Sequence, residues 1–511
     1  MLALEAGDRH EAAACCRQAL SEFPGMARAH YLAALLALDA DDFDVALGAL
    51  KRTVKLNEHH APAWAQLARL YLMAGEFVKA EGCLQNAVAT VRDNPATHDA
   101  IGTAFRLAGN LEAARHWHER AVRRQGNHLP FLINLANVHL FFGDLAAAEE
   151  LLNRCLELRP ENAQVHWLLS RTANAQNVWH IEAMQDLLAE QTDPRARAYL
   201  NYAIGKEAED LEDWQLAFDA FSAGAAARRQ TVSYDEQNEI EVFDTVTDRF
   251  TREWLDVQEP GPIDAAPIFI IGEPRSGTTL LDRMLSAHSA VNSAGELRHL
   301  GFAVRRATGI DEPRQFTPEL MAAIASTGAS DIGVAYLEST AGLRGDAAHF
   351  IDKLPVNYLY LPLILAALPK ATILHMRRDP MDACFAMYKQ LFADAYLYSY
   401  DQQELARHYV RYAMLMETWR ERFPGRFLEI DYEALVTEPE ETLRTILENV
   451  GLSWQPQCLD FHLDTSAVTT ASAAQVRERP HSRSVGRWRK YEQELRPMYE
   501  VLAAAGLLTD A

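Results

Sequence analysis

Apolar and polar positions in the first 160 residues follow a helical rhythm, and that rhythm itself repeats every 34 residues. Positions 7, 41, 75, 109 and 143 hold Gly7, Asp41, Gly75, Gly109 and Gly143. Each is followed by a polar residue suited to starting a helix: Asp8, Asp42, Glu76, Asn110 and Asp144. Five positions after each anchor stands an alanine, at Ala12, Ala46, Ala80, Ala114 and Ala148. Thirteen after it come Leu20, Val54, Val88, Val122 and Leu156, and seven before it the small residues Ala34, Ala68, Gly102 and Ala136. The pattern predicts a stack of helix pairs. Gly or Asp makes the turn within a pair, the small residues let two backbones approach, and stacking buries the apolar face that one pair cannot bury alone. Gly7 already stands at a turn position, so the first pair lacks most of its first helix.

Past residue 160 the register degrades. Residues 163–190 and 198–228 still predict helix pairs, the last ending in DWQLAFDAFSAGAAARR. The stretch EIEVFDTVTDRFTREWL continues as helix, and Pro260, Gly261, Pro262 and Pro267 then punctuate a linker. These boundaries divide the chain into an all-helical repeat segment at 1–228, a connector at 229–264 and a second domain at 265–511.

In that second domain short apolar runs alternate with helical patterns. IFII (268–271), AVNSA, HFID (349–352), ATILHM (371–376) and RFLEI (426–430) predict strands with helices between them. Such alternation predicts an α/β domain, a parallel sheet covered by helices on both faces. Ligands in such sheets bind beyond the carboxyl ends of the strands. Arg275, Glu296, Lys353, Arg378 and Tyr432 follow the strands and become candidates.

Composition narrows the function classes. The net charge is −22 over 511 residues, which opposes non-specific binding to nucleic acid. No run approaches the ~20 apolar residues of a membrane helix. The start, MLALEAGDRHEAAACC, has no basic stretch followed by an apolar core, so no secretion signal is read. Six scattered cysteines without metal-ligand spacing suit buried thiols in a reducing cytoplasm.

The candidate chemistry centres on residues 268–285, IFIIGEPRSGTTLLDRML. Gly272 to Gly277 have the spacing of an ATP-binding phosphate loop, a turn that presents backbone N–H groups and a helix N-terminus to an anion. Thr278 stands where the lysine of that loop belongs, and Arg275 lies inside the turn. The ATILHM strand runs into Arg377 and Arg378 rather than a metal-binding carboxylate. The set suits one 5′-phosphate without a metal better than a nucleoside triphosphate, and it opposes a kinase or NTPase reading.

Two resemblances follow from these residues. The 34-residue period resembles the tetratricopeptide repeat. PRSGTTL after a strand resembles the 5′-phosphosulfate loop of sulfotransferases, which use 3′-phosphoadenylyl sulfate (PAPS), and most of all that of protein-tyrosine sulfotransferases. This second resemblance covers about 265–495. It implies a P-loop-like three-layer α/β domain, with Arg275, Ser276, Gly277, Thr278 and Thr279 as the phosphate loop. Glu296 in GEL implies the catalytic base, and Lys353 in FIDKLP the catalytic lysine. Arg378 in MRRDP implies the 3′-phosphate arginine, and Tyr432 in DYEALVTEPE a nucleotide contact. Ser472, which precedes Gln475 and Val476, implies a donor to the phosphosulfate. Arg487 in GRW implies a later basic contact, closing with Trp488 over the cofactor. The fusion of repeats to this domain implies a bacterial source.

The pattern departs from the family at two places. Ala386 replaces a serine for the 3′-phosphate, and Gln390 replaces a basic residue, although Lys389 is adjacent. The resemblance implies a PAPS-dependent transfer to an acceptor hydroxyl, foremost a tyrosine of a protein or peptide, with the repeats offering a surface to a further protein. A carbohydrate or small-molecule hydroxyl is the alternative acceptor. An interaction protein with an inactive nucleotide domain is the alternative function. Ala386 and Gln390 favour that alternative; the joint presence of Arg275, Glu296, Lys353 and Ser472 opposes it.

Overall fold

The computed structural model describes residues 8–263, 265–310, 316–470, 473 and 475–508. The chain forms two compact units, Met1–His139 with Glu150–Leu158, and Leu140–Glu149 with Arg159–Ala511.

In the first unit the 34-residue register becomes geometry. Helices Ala27–Asp39 and Phe43–Leu56 make one pair, Ala61–Met73 and Phe77–Thr90 the next, and Pro95–Leu107 and Leu111–Arg124 a third. The anchors turn the chain through left-handed backbone, with φ of 55° at Asp41, 71° at Gly75 and 80° at Gly109. Asp42 and Asn110 then cap the second helix of their pairs by accepting the N–H three residues on. Ala46, Ala80 and Ala114 are fully buried, as are Ala34 and Ala68 seven residues before their anchors. Gly102 takes the same place in the third pair for a reason of space. A Cβ there would lie 2.9 Å from the His118 ring, which is held by Asp99. Gly7 lies outside the described residues.

The second unit contains a five-stranded parallel sheet. Its strands are β1 (Ile268–Gly272), β2 (Val291–Ser293), β3 (His349–Asp352), β4 (Thr372–Arg377) and β5 (Leu428–Asp431), in the order β2-β3-β1-β4-β5. β1 is buried along its whole length, and its period of two divides the core. Ile268 and Ile270 pack with Leu281, Met284, Leu443 and Ile446 of helices Thr278–Ser286 and Pro439–Val450. Phe269 and Ile271 belong to the opposite layer. The chain crosses from one flank of β1 to the other between β3 and β4. This switch in direction opens a crevice beyond the carboxyl end of β1.

The helices from 163 to 249 share the core of that opposite layer and therefore belong with the sheet. Their central pair, Pro194–Asp210 and Trp214–Arg229, repeats the earlier register one residue beyond two full periods from Gly143. Glu212 makes the turn at φ 61°, Asp213 caps, Ala217 is fully buried, and a Cβ on Gly205 would lie 2.6 Å from the Phe221 ring. Tyr202 Oη donates to the Tyr388 carbonyl at 3.1 Å, so this pair is bonded to the sheet domain as well as packed on it. Sequence pattern groups residues 163–228 with the repeats; contacts group them with the sheet. Among the described residues, no single helix is long and apolar enough to cross a membrane.

Candidate functional site

The turn after β1 is built for close approach. Gly272 has φ 142°, and a Cβ on it would lie 2.5 Å from the Met376 carbonyl oxygen on β4. Gly277 has φ 101°, and a Cβ there would lie 2.5 Å from the Tyr432 ring. Arg275 itself sits in the left-handed region at φ 68°, a strained choice for a residue with a side chain. Helix Thr278–Ser286 opens directly from the turn with no side-chain cap, and Thr278 and Thr279 are buried at its start. The buried hydroxyl of Ser276 has no hydrogen-bond partner among the described residues.

Basic side chains gather around this turn. Arg378, just past β4, donates to the Arg275 carbonyl at 2.8 Å and to the Ser484 carbonyl at 2.7 Å. Its guanidinium stands 4.6 Å from the centre of the Tyr432 ring, against which Gly277 also packs. Burial, then the charge of Arg378, pushes the Arg275 pKa down to about 10. A guanidinium in that setting gains from an incoming anion. Arg377 points elsewhere and pairs with Asp431 at 2.7 Å.

One cavity of about 730 Å³ runs past the turn. Arg275, Gly277, Thr278, Thr279, Arg378, Tyr432 and Arg487 all line it, together with Ala386, Lys389 and Gln390. The side chain at 487 is aimed by its neighbours. Asp382 accepts the backbone N–H groups of Gly486 at 2.5 Å and of Trp488 at 3.2 Å. That clamp leaves Arg487 on the cavity wall and turns Trp488 into the core, away from the closing role expected for it. Ser472 lies outside the described residues.

The helices from 163 to 210 supply a wall that the sequence reading missed. Arg171 lines the cavity, stacks over Trp167 at 4.9 Å, and contributes to lowering the Arg275 pKa. Glu209 accepts from Lys389 Nζ at 2.7 and 2.8 Å, from Arg487 Nε at 3.3 Å and from Tyr491 Oη at 3.1 Å. In sequence both look like ordinary charged residues on amphipathic helices. Glu209 answers the half-buried Lys389, which requires a counter-charge; Arg171 has no such signal.

Glu296 and Lys353 meet beyond the carboxyl ends of β2 and β3. The ladder between these strands continues past them: Ala294 N–H donates to the Ile351 carbonyl at 3.0 Å, and Lys353 N–H to the Gly295 carbonyl at 2.9 Å. This register sets the two side chains together, and they form an ion pair. The Lys353 side chain is 1% exposed and that of Glu296 36%. The pair does not line the cavity described above. Asp282 relates the two regions, because it lies on the helix that leaves the turn and feels the Lys353 charge. Burial raises the Asp282 pKa, against the opposing pull of Lys353. Burial likewise pushes Asp352 up to about 8, while Tyr336 Oη donates to it at 2.9 Å.

Behind the turn lies a buried relay. Glu273, the second residue of the turn, accepts from His408 Nε2 at 3.2 Å, and His408 Nδ1 meets Glu239 of the connector helix at 2.9 Å. Tyr398 stacks on the imidazole at 3.6 Å. Burial alone would lower the His408 pKa, but the charges of Glu239 and Glu273 outweigh it and raise it to about 9. A raised histidine stabilises fully below its ordinary value of ~6.5, and that contribution is lost as pH climbs through the folded value. The thermal midpoint of the second unit therefore falls between about pH 6.5 and 9, and His408→Gln flattens the decline. Thermal melts of both proteins across that range check this, and equal slopes would refute it. The other histidines near the strands have structural partners. His288 Nε2 meets the Ser453 carbonyl at 3.0 Å, and His375 lies between Glu429 and Tyr412.

Comparison with known proteins finds two kinds of family. Residues 267–456 match the sulfotransferase family model, and residues 1–54, 37–102 and 105–172 match tetratricopeptide repeat models. The chain therefore joins tetratricopeptide repeats to a sulfotransferase-family domain. It is 30% identical over 404 residues to an uncharacterized protein of Aquifex aeolicus, covering 77% of this chain and 52% of that one. It is 25% identical over 202 residues to protein-tyrosine sulfotransferase 1 of Danio rerio, covering 38% of this chain and 56% of that one. The chain thus spans about half the length of these relatives. Among solved structures, the sulfotransferase domain from the curacin biosynthetic pathway aligns at 16% identity with a TM-score of 0.34, covering 50% of this chain and all of that one.

Proposed function

We propose that this chain is a PAPS-dependent sulfotransferase that moves a sulfuryl group onto a protein tyrosine. The observation that carries the reading is a cavity whose wall carries cations from four parts of the chain: Arg275 beside the uncapped helix start, Arg378, Lys389 and Arg487. A nucleotide with phosphate at both its 5′ and 3′ positions needs such a set of cations.

The residues fit that group. The Gly277 position has no room for a Cβ because the Tyr432 ring packs there, which fixes the turn against a residue of the same cavity wall. The Ser276 hydroxyl is buried with a donor to give. Thr278 removes the lysine that would reach further phosphates. Ala386 supplies no hydroxyl, and Lys389 stands on the cavity wall beside it.

When bound, the donor supplies a sulfuryl group joined to a 5′-phosphate that can leave. The chain's residues have three tasks. Arg275 and the N–H groups of the turn hold the 5′-phosphate, while Arg378, Lys389 and Arg487 fix the 3′ end and with it the line of attack. Glu296 takes the proton from the acceptor hydroxyl as the new oxygen–sulfur bond forms. Lys353 donates to the bridging oxygen as that bond breaks, and its pairing with Glu296 keeps both groups at one point. Tyrosine as the acceptor rests on the resemblance of the motifs to protein-tyrosine sulfotransferases and on the named Danio rerio relative. The repeats of the first unit would then present a protein surface.

Transfer of labelled sulfate from PAPS to a library of tyrosine peptides tests the reading. Label on tyrosine is the expected result. Binding of adenosine 3′,5′-bisphosphate without labelled peptide would overturn the acceptor, and absence of nucleotide binding would overturn the donor.

A further inference from the structure

We propose that Glu209 is a positioning residue for the 3′-phosphate of the nucleotide, so that a helix of the 163–228 segment is part of the donor site. This rests on the donor reading above. Glu209 lies at the last turn of helix Pro194–Asp210, on the wall of the cavity. Its side chain is 12% exposed and accepts from three others: Lys389 through both oxygens, Arg487 and Tyr491. Those donors come from the end of helix Pro380–Tyr388 and from the segment Arg487–Tyr491. One carboxylate therefore ties three parts of the chain together at the place where the phosphate ligands of the family pattern are missing.

The arrangement compensates for Ala386 and Gln390. Lys389 is one residue from the position of the missing cation, and one residue rotates a side chain by about 100° around a helix axis. Without a fixed partner its long side chain has no reason to hold at the wall. Glu209 gives it that partner: both carboxylate oxygens sit on one side of the ammonium, and the N–H groups on its other side are left for an anion. Arg487 gives Glu209 only its Nε, which leaves the terminal amino groups of the guanidinium to reach a phosphate.

Charge supports the same conclusion. Burial would raise the Glu209 pKa, but Lys389 and Arg487 outweigh it and hold the carboxyl below its ordinary range. Burial lowers the Lys389 pKa, and the neighbouring Arg487 and Arg275 add to that, whereas Glu209 opposes it. Removing the carboxylate would therefore leave a half-buried lysine near two guanidiniums, less able to stay charged. Two cations share one carboxylate, so a positive excess remains for the phosphate.

Calorimetric titration of the full chain with adenosine 3′,5′-bisphosphate and with adenosine 5′-monophosphate tests this. Glu209→Gln should weaken the bisphosphate by about 10–100-fold, the usual range for a charged hydrogen-bond partner, and leave the monophosphate unchanged. Lys389→Met should do the same, and the double variant should lose little more than either alone. The unchanged monophosphate reports that the fold and the 5′-phosphate loop are intact. Bisphosphate binding that is unchanged or tighter in Glu209→Gln overturns the proposal, as does an equal loss of both nucleotides. If the unaltered chain prefers the bisphosphate and the variant keeps that preference, only the role of Glu209 fails. If the unaltered chain binds neither nucleotide, the donor reading fails with it.

Discussion

If the proposed function holds, Glu296→Gln should lower the rate of sulfuryl transfer by about 10²–10⁴-fold, the range for losing a positioned general base, and leave nucleotide affinity nearly unchanged. The geometry separates these two effects. Glu296 stands at the end of β2, outside the lining of the cavity, so its loss removes no contact to the bound nucleotide. Its side chain is 36% exposed, so the substitution costs little folding energy. Glutamine has the same shape and still offers Lys353 an oxygen, but it cannot take a proton at the pH of the reaction. The change therefore falls on kcat rather than on binding. Single-turnover transfer at saturating PAPS measures the first quantity, and titration with adenosine 3′,5′-bisphosphate the second. An unchanged kcat would remove Glu296 from the role of base. A loss of nucleotide affinity equal to the loss of rate would place it in the binding site instead.

The sequence displays those features that a local pattern encodes. A left-handed turn needs Gly or a tolerant polar residue, so Asp41, Gly75 and Gly109 mark the repeat without any structure. The strands are legible because apolar runs are short and bounded, and the register of β2 on β3 brings Glu296 beside Lys353. Long-range packing leaves no such trace. Glu212 makes the same turn as the earlier anchors, but a glutamate there, shifted by one residue, hides the repetition. That helices 163–249 share the core of the sheet depends on which apolar faces meet, and many surfaces have suitable composition. Glu209 and Arg171 are missed for the same reason, since a charged residue on a helix carries no sign of what it faces. Glu273 lay in plain view inside the loop, but its partner His408 comes from a helix more than a hundred residues away.

Lys353→Met is the sharper test of how the two regions cooperate. The Lys353 side chain is 1% exposed, and methionine fills a similar space without the charge. Transfer should fall by about 10²–10³-fold, the scale for removing one preorganised donor from a developing oxyanion. The neighbours respond as well. Asp282 and Asp352 are both raised by burial and both pulled back by Lys353, so losing the ammonium raises them further and favours their neutral forms. Neutral carboxyls no longer need the missing cation, which limits the cost to the fold. Nucleotide affinity should fall far less than the rate, because Lys353 gives only one donor to the oxygen that stays on the 5′-phosphate while the arginines of the cavity remain. If the ion pair acts as one catalytic unit, the variant that combines Lys353→Met with Glu296→Gln should be little slower than the worse of the two alone. Rates that multiply instead would mean that the base and the donor act on separate steps. A rate unchanged in Lys353→Met would mean that the leaving oxygen draws its positive charge from the arginines of the cavity, and that Lys353 serves only to hold Glu296.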